Sequence, residues 1–107
     1  VKGERSMNIL LVCAAGMSTS LLVNKMNEAA KAKGMELEIN AYPIGSLDKY
    51  ASAADVILLG PQVRYELNNV KGKYPDKPVS VIDMRDYGMM NGEKVLDFAI
   101  RLVEESK

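Results

Sequence analysis

Asn8-Ile9-Leu10-Leu11-Val12-Cys13 is an unbroken apolar run, and Ala14-Ala15-Gly16-Met17-Ser18-Thr19-Ser20 follows it directly. A short apolar run without alternation predicts a strand buried on both faces, as at the centre of a parallel sheet. The small and polar stretch after it predicts a loop that opens a helix. Leu22, Met26, Ala29 and Ala30 then recur at helical spacing as far as Gly34, which suits a C-cap. The chain's single cysteine therefore stands on the boundary between strand and loop.

Outward from this unit the same pattern repeats. Leu37, Ile39 and Ala41 alternate with Glu36, Glu38 and Asn40, which predicts an edge strand with one wetter face, ended by Pro43 and Gly45. Ser46 to Ala54 reads as a short helix. Val56-Ile57-Leu58-Leu59 is a second fully apolar strand, stopped by Gly60-Pro61. Val63, Leu67, Val70 and Tyr74 fall on one face of a helix. Pro75 and Pro78 bracket a turn, Val79-Ser80-Val81-Ile82 is a fourth strand, and Asp83 to Gly92 reads as a loop. The last helix places Val95, Ala99, Leu102 and Val103 on one face. Strands alternating with amphipathic helices imply one α/β domain, a four-stranded parallel sheet with helices on both faces. The two runs without alternation belong side by side at the centre, giving strand order 2-1-3-4. This topology is flavodoxin-like and resembles that of the low-molecular-weight tyrosine phosphatases. In such sheets ligands sit beyond the carboxyl ends of the strands, where the winding reverses. Here that point lies between the first and third strands, beside Cys13 and Gly60.

Composition narrows the functions. A chain of 107 residues suits one domain, and 48% hydrophobic with 26% charged residues argues against disorder. Fourteen basic residues balance fourteen acidic ones, so no basic face for nucleic acid is expected. One cysteine excludes an internal disulfide and a Cys-ligated zinc site. The absence of histidine removes Ser–His and Cys–His catalysis, histidine metal ligands and phosphohistidine from this chain, so neither metal nor cofactor is expected. No apolar run approaches the roughly 20 residues that span a bilayer, and no signal peptide is visible, which predicts a cytoplasmic protein without membrane insertion. Val1 to Ser6 (VKGERS) precede Met7 and read as an expression scar, leaving 7–107 as the domain.

A cysteine before a helix N-terminus has defined chemistry. Unpaired N–H groups and the positive end of the helix dipole bind anions, and the same field favours a nucleophilic thiolate. Cys13 is the candidate nucleophile. Ala14, Ala15, Gly16, Met17, Ser18, Thr19 and Ser20 form a candidate phosphate cradle, with Gly16 free to curl the backbone and the hydroxyls adding donors. The bland alternative is a small buried cysteine before an ordinary capped helix. Six residues after the cysteine, where tyrosine phosphatases place a phosphate-clamping arginine, stands Thr19, and no Lys or Arg occurs between Cys13 and Lys25. Such a loop holds a phosphoryl group on sulfur without being equipped to hydrolyse it. The competing readings are a small cysteine phosphatase and a non-catalytic phosphate- or flavin-binding module. Thr19 opposes the first, and the absence of Trp with few other aromatics opposes the second. A receiver domain is disfavoured because no acid ends the third strand.

Gly60, Pro61, Gln62 and Tyr65 should lie beside the cysteine loop, where they orient it or touch a partner; a plain strand stop and helix start is the alternative. Asp83, Asp86 and Tyr87 follow the fourth strand on the same edge; Asp83 and Tyr87 are candidate partner contacts, with plain loop polarity as the alternative. Met17, Met89 and Met90 are candidates for an apolar docking patch, with Met17 the best placed.

The stretch MNILLVCAAGMSTSLLV from Met7, with ADVILLGPQVRYEL and KPVSVIDMRDYGMMNGEKVL further on, resembles the enzyme IIB component of the phosphoenolpyruvate-dependent sugar phosphotransferase system, lactose/cellobiose/chitobiose type. The likeness runs from Met7 to Lys107, and C-x-A-G-M-S-T-S is its most specific part. It implies that Cys13 accepts a phosphoryl group from a phosphohistidine of a IIA component. The group would rest in the cradle of Ala14 through Ser20 and pass to a disaccharide bound by the membrane IIC component. A monomer that meets both partners transiently is expected. The missing histidine fits, because in this family it belongs to the donor.

Overall fold

The computed structural model describes residues 7–14 and 17–106, the side chains of 17–19 excepted; the expected expression scar lies outside them. Four parallel strands, β1 (Met7–Cys13), β2 (Leu37–Pro43), β3 (Val56–Leu59) and β4 (Val79–Val81), form one sheet in the order β2-β1-β3-β4. This is the order expected from the apolar patterns. The helices are α1 (Met17–Ala32), α2 (Leu47–Tyr50), α3 (Leu67–Lys73), α4 (Met84–Gly88) and α5 (Gly92–Glu105).

Two cores explain why β1 and β3 lack alternation. Ile9 and Leu11 of β1, with Val56 and Leu58 of β3, pack against Leu22, Met26 and Ala30 of α1 and Val95, Leu96 and Ala99 of α5. Leu10, Val12, Ile57 and Leu59 face the other way, toward Leu47, Ala51, Val63 and Val70. Each fully buried Leu or Ile side chain contributes about 1.5–3 kcal/mol, so both faces of the central strands must be apolar. β2 is an edge strand, with Ile39 buried while Glu38 and Asn40 are exposed. Helix α1 ends in a Schellman motif. Gly34 takes φ +71°, its N–H donates to Lys31 O, and the Met35 N–H donates to Ala30 O at 2.9 Å while Met35 packs on the first core.

Three connections differ from their sequence reading. The 46–54 region is a broken string: a 3-10 turn (Ile44–Ser46), α2, and a second 3-10 turn (Ala51–Ala53). No side chain caps these pieces, so burial of Leu47, Ala51 and Ala54 and the bond from Lys77 Nζ to Ala54 O (2.7 Å) hold the path. The 63–74 helix is two segments, a 3-10 stretch (Pro61–Glu66) with a non-helical Val63, then α3. Both segments turn their apolar residues to the sheet, so the periodicity finds the buried face without revealing the change of pitch. The expected loop from Asp83 to Gly92 contains α4. Asp83 Oδ1 accepts from the Arg85 and Asp86 backbone N–H groups at 2.8 and 3.2 Å, the geometry of an N-cap. Among the described residues no helix is long and apolar enough to cross a membrane.

Asp48 links α2 to α3, accepting hydrogen bonds from the Tyr74 hydroxyl and, at 3.2 Å, from Lys73 Nζ. The Tyr74 bond, then Lys73, holds the Asp48 carboxyl below its ordinary range, while the same carboxylate pushes the Tyr74 hydroxyl up. The lowered acid contributes stability above its unfolded pKa that is lost as pH falls through the folded one. The raised phenol contributes stability below its unfolded pKa that is lost as pH rises through the folded one. Asp48→Asn is expected to bring the Tyr74 midpoint back toward the ordinary tyrosine value in an NMR titration; an unchanged midpoint would refute the pairing.

Candidate active site

The parallel ladder continues one residue beyond the strands. Gly60 N–H donates to Val12 O at 2.7 Å, and Ile82 N–H donates to Leu59 O at 2.8 Å. This draws Cys13, Gly60 and the residues after Ile82 to one edge of the sheet, as their strand-end positions predict. By alternation with Ile9 and Leu11, Cys13 sits on the side of the sheet that carries α1 and α5. It is 2% exposed. Helix α1 opens at Met17 with no acid in its first turn, so no side-chain charge there offsets the positive end of its dipole. Of the expected cradle, Ala14 and Ser20 are exposed. Ala15 and Gly16, with the side chains of Met17, Ser18 and Thr19, lie outside the described residues.

Gly60 stands beside the cysteine. A Cβ built on it would lie 3.5 Å from Cys13 Cβ, 3.5 Å from Val12 O and 3.0 Å from Gln62 Oε1. The position next to the nucleophile is therefore free of a side chain of its own, and the end of Gln62 reaches into it. Gln62 itself is exposed, and Tyr65 is 73% exposed.

The other candidate contacts differ in exposure. Gly60 and Pro61 are buried, so neither offers a side chain at the surface of this edge. Tyr87 is 6% exposed and belongs to the first core with Ile82 and Val95. As a candidate partner contact it is corrected: α4 turns its ring inward. Asp83 is exposed, yet its carboxylate is engaged in capping α4. Met89 is exposed, whereas Met90, at φ +53°, packs against the first core. Leu21 and Met84, 50% and 65% exposed, were not singled out from sequence. Both lie near the starts of helices that rise from this edge. A groove of about 600 Å³ between the outer side of β4 and α5, lined by Val81, Asp83, Asp86, Lys94, Phe98 and Arg101, does not include Cys13.

The comparisons with known proteins agree with this fold. Residues 8–98 match the family described as PTS system, lactose/cellobiose specific IIB subunit, and the chain belongs to that family. Members of the family are phosphotransferases of sugar uptake. The chain is 46% identical over 102 residues to the PTS system galactose-specific EIIB component of Lactococcus lactis subsp. cremoris, covering 89% of this chain and 94% of that protein. The solution structure of a cellobiose-specific phosphotransferase IIB component from Borrelia burgdorferi superposes with a TM-score of 0.82 at 42% identity, covering 98% of each chain. The PTS system lactose-specific EIICB component of Lacticaseibacillus casei is 26% identical over 99 residues, which cover 89% of this chain and 17% of that longer protein.

Proposed function

We propose that this chain is a phosphoryl relay in sugar uptake, with Cys13 as the residue that carries the group. One observation supports this most strongly: the only cysteine ends the central strand, directly before the segment that opens α1 and against Gly60. The Cys13 thiolate attacks phosphorus of a phosphohistidine on a IIA component. A P–S bond forms, the P–N bond breaks, and the imidazole keeps the electron pair. In the second step a sugar hydroxyl attacks, the P–S bond breaks, sulfur leaves as thiolate, and the hydroxyl proton is released to water. Phosphoryl transfer asks the protein mainly for positioning and charge stabilisation, and the amides and hydroxyls of Ala14 through Ser20 supply both.

The acceptor is a disaccharide of the cellobiose, lactose or chitobiose class held by a membrane IIC component. The lactose-specific EIICB relative supports that partner, and its name with the cellobiose-specific names of the others supports that range of sugars. Because Cys13 is almost fully buried, the phosphoryl group must be brought down onto sulfur at the sheet edge.

The test is intact-mass analysis after incubation with phosphoenolpyruvate, the general phosphotransferase proteins and a matching IIA. One added phosphoryl group on the wild type, absent from Cys13→Ser, is expected. No adduct from a demonstrably active IIA would remove the reading. Turnover of a generic aryl phosphate should be negligible, since no arginine stands at position 19 to clamp the phosphate.

A further inference from the structure

We infer that the side-chain amide of Gln62 is a catalytic group of this site, donating a hydrogen bond to an oxygen of the phosphoryl group on Cys13 from the β3 side. The inference rests on Cys13 being the phosphoacceptor. In the parallel register Val12 pairs with Leu59, so Gly60 stands opposite Cys13. Alternation puts both on the α1 and α5 side of the sheet. With no side chain at Gly60, the space beside the nucleophile is open, and Gln62 Oε1 lies 3.0 Å from the point a Cβ would take, while Cys13 Cβ lies 3.5 Å from the same point.

Three features suit Gln62 to this work. Its amide carries two donors and an acceptor, and a half-turn of the amide exchanges which end faces the cysteine. Among the described residues it makes no side-chain hydrogen bond that would have to be broken first. The turn that carries it is stiff: Pro61 is buried, Val63 N–H donates to Gly60 O at 3.0 Å, and Arg64 Nη1 donates to Pro61 O at 3.0 Å. That last bond also turns the nearest cation of the segment back onto the chain. A neutral amide stabilises phosphoryl charge yet cannot act as acid or base toward water. This is the balance a relay requires, since a phosphocysteine must survive until the sugar arrives.

The experiment measures single-turnover transfer from phosphorylated IIA to the wild type, Gln62→Ala, Gln62→Glu and Gly60→Ala. Gln62→Ala should slow formation of the Cys13 adduct by roughly 10- to 100-fold, below the loss for a buried oxyanion donor because this amide is exposed. Gln62→Glu should be slower still, since a carboxylate repels the incoming group. Gly60→Ala tests the geometry from the other side. Gly60, at φ −63° and ψ 154°, accepts alanine, but the new methyl must displace the flexible end of Gln62 and should reproduce the Gln62→Ala defect. Thermal midpoints within about 2–3 °C of wild type are expected for both Gln62 variants, as for exposed substitutions generally. Wild-type rates in Gln62→Ala, or slowing in Gly60→Ala alone, would overturn the role of Gln62 with the relay intact. Slowing accompanied by loss of the folded far-UV signal counts against it as well. No adduct on the wild type would instead overturn the relay itself.

Discussion

Replacing Gly92 with alanine is expected to lower the thermal midpoint by on the order of 10–20 °C, about 3 kcal/mol. A Cβ at this position would lie 2.4 Å from the Lys25 carbonyl carbon, 2.6 Å from Met26 N and 2.7 Å from Lys25 Cβ. Two of these atoms are helix backbone, so no side-chain rotation relieves the overlap. The helices must move apart, and Met26 shares a fully packed core with Val95, Leu96 and Ala99 just beyond the contact. Small-to-large changes in packed interiors typically cost about 1–3 kcal/mol, and a backbone neighbour places this one at the upper end. The loss is large beside a total stability of about 5–15 kcal/mol. Gly72 is the control. It lies within α3 with open space where a Cβ would be, so Gly72→Ala should stabilise by about 0.5–1 kcal/mol through helix propensity. Thermal unfolding followed by circular dichroism separates the two. A wild-type midpoint for Gly92→Ala would show that α1 and α5 are free to separate at this point.

Gly92 also marks where sequence reading stops. In the chain it is one of several small residues closing a polar stretch, and its purpose depends on a helix far away in sequence. The central strands were legible for the opposite reason. Ile9 through Val12 and Val56 through Leu59 are apolar at every position, and only two-sided burial calls for that. The edge strand was legible because Glu38 and Asn40 interrupt it. Helix α4 was hidden because its cap, Asp83, reads equally well as loop polarity, and the same polarity disguised the buried ring of Tyr87. At the site, the meeting of Cys13 and Gly60 follows from where two neighbouring strands end. The reach of Gln62 into that corner depends on the backbone path of a 3-10 turn, and residue spacing does not encode that path.

Leu58→Ala and Leu59→Ala should each destabilise by about 3 kcal/mol, yet disturb different halves of the molecule. Both side chains are fully buried, and no hydropathy pattern distinguishes them. Leu58 belongs to the core shared with Leu22, Met26 and Leu96, and Leu59 to the one shared with Val63 and Val70. Methyl and aromatic NMR shifts are therefore expected to change around Met26 and Tyr87 in the first variant, and around Val70 and Tyr74 in the second. Leu21→Ala, at a half-exposed position on α1, should stay within about 0.5 kcal/mol of wild type. Overlapping sets of shifted signals would contradict the two-layer assignment. The division reaches the site, because its two sides rest on different cores. The loop after Cys13 leads into α1, which packs with Leu58, whereas the turn carrying Gln62 is anchored by Val63, which packs with Leu59. Conditions that leave Leu58→Ala folded should loosen the loop side of Cys13, and Leu59→Ala should loosen the Gln62 side. Phosphoryl transfer measured in the two variants at matched stability therefore reads the contributions of the two sides separately.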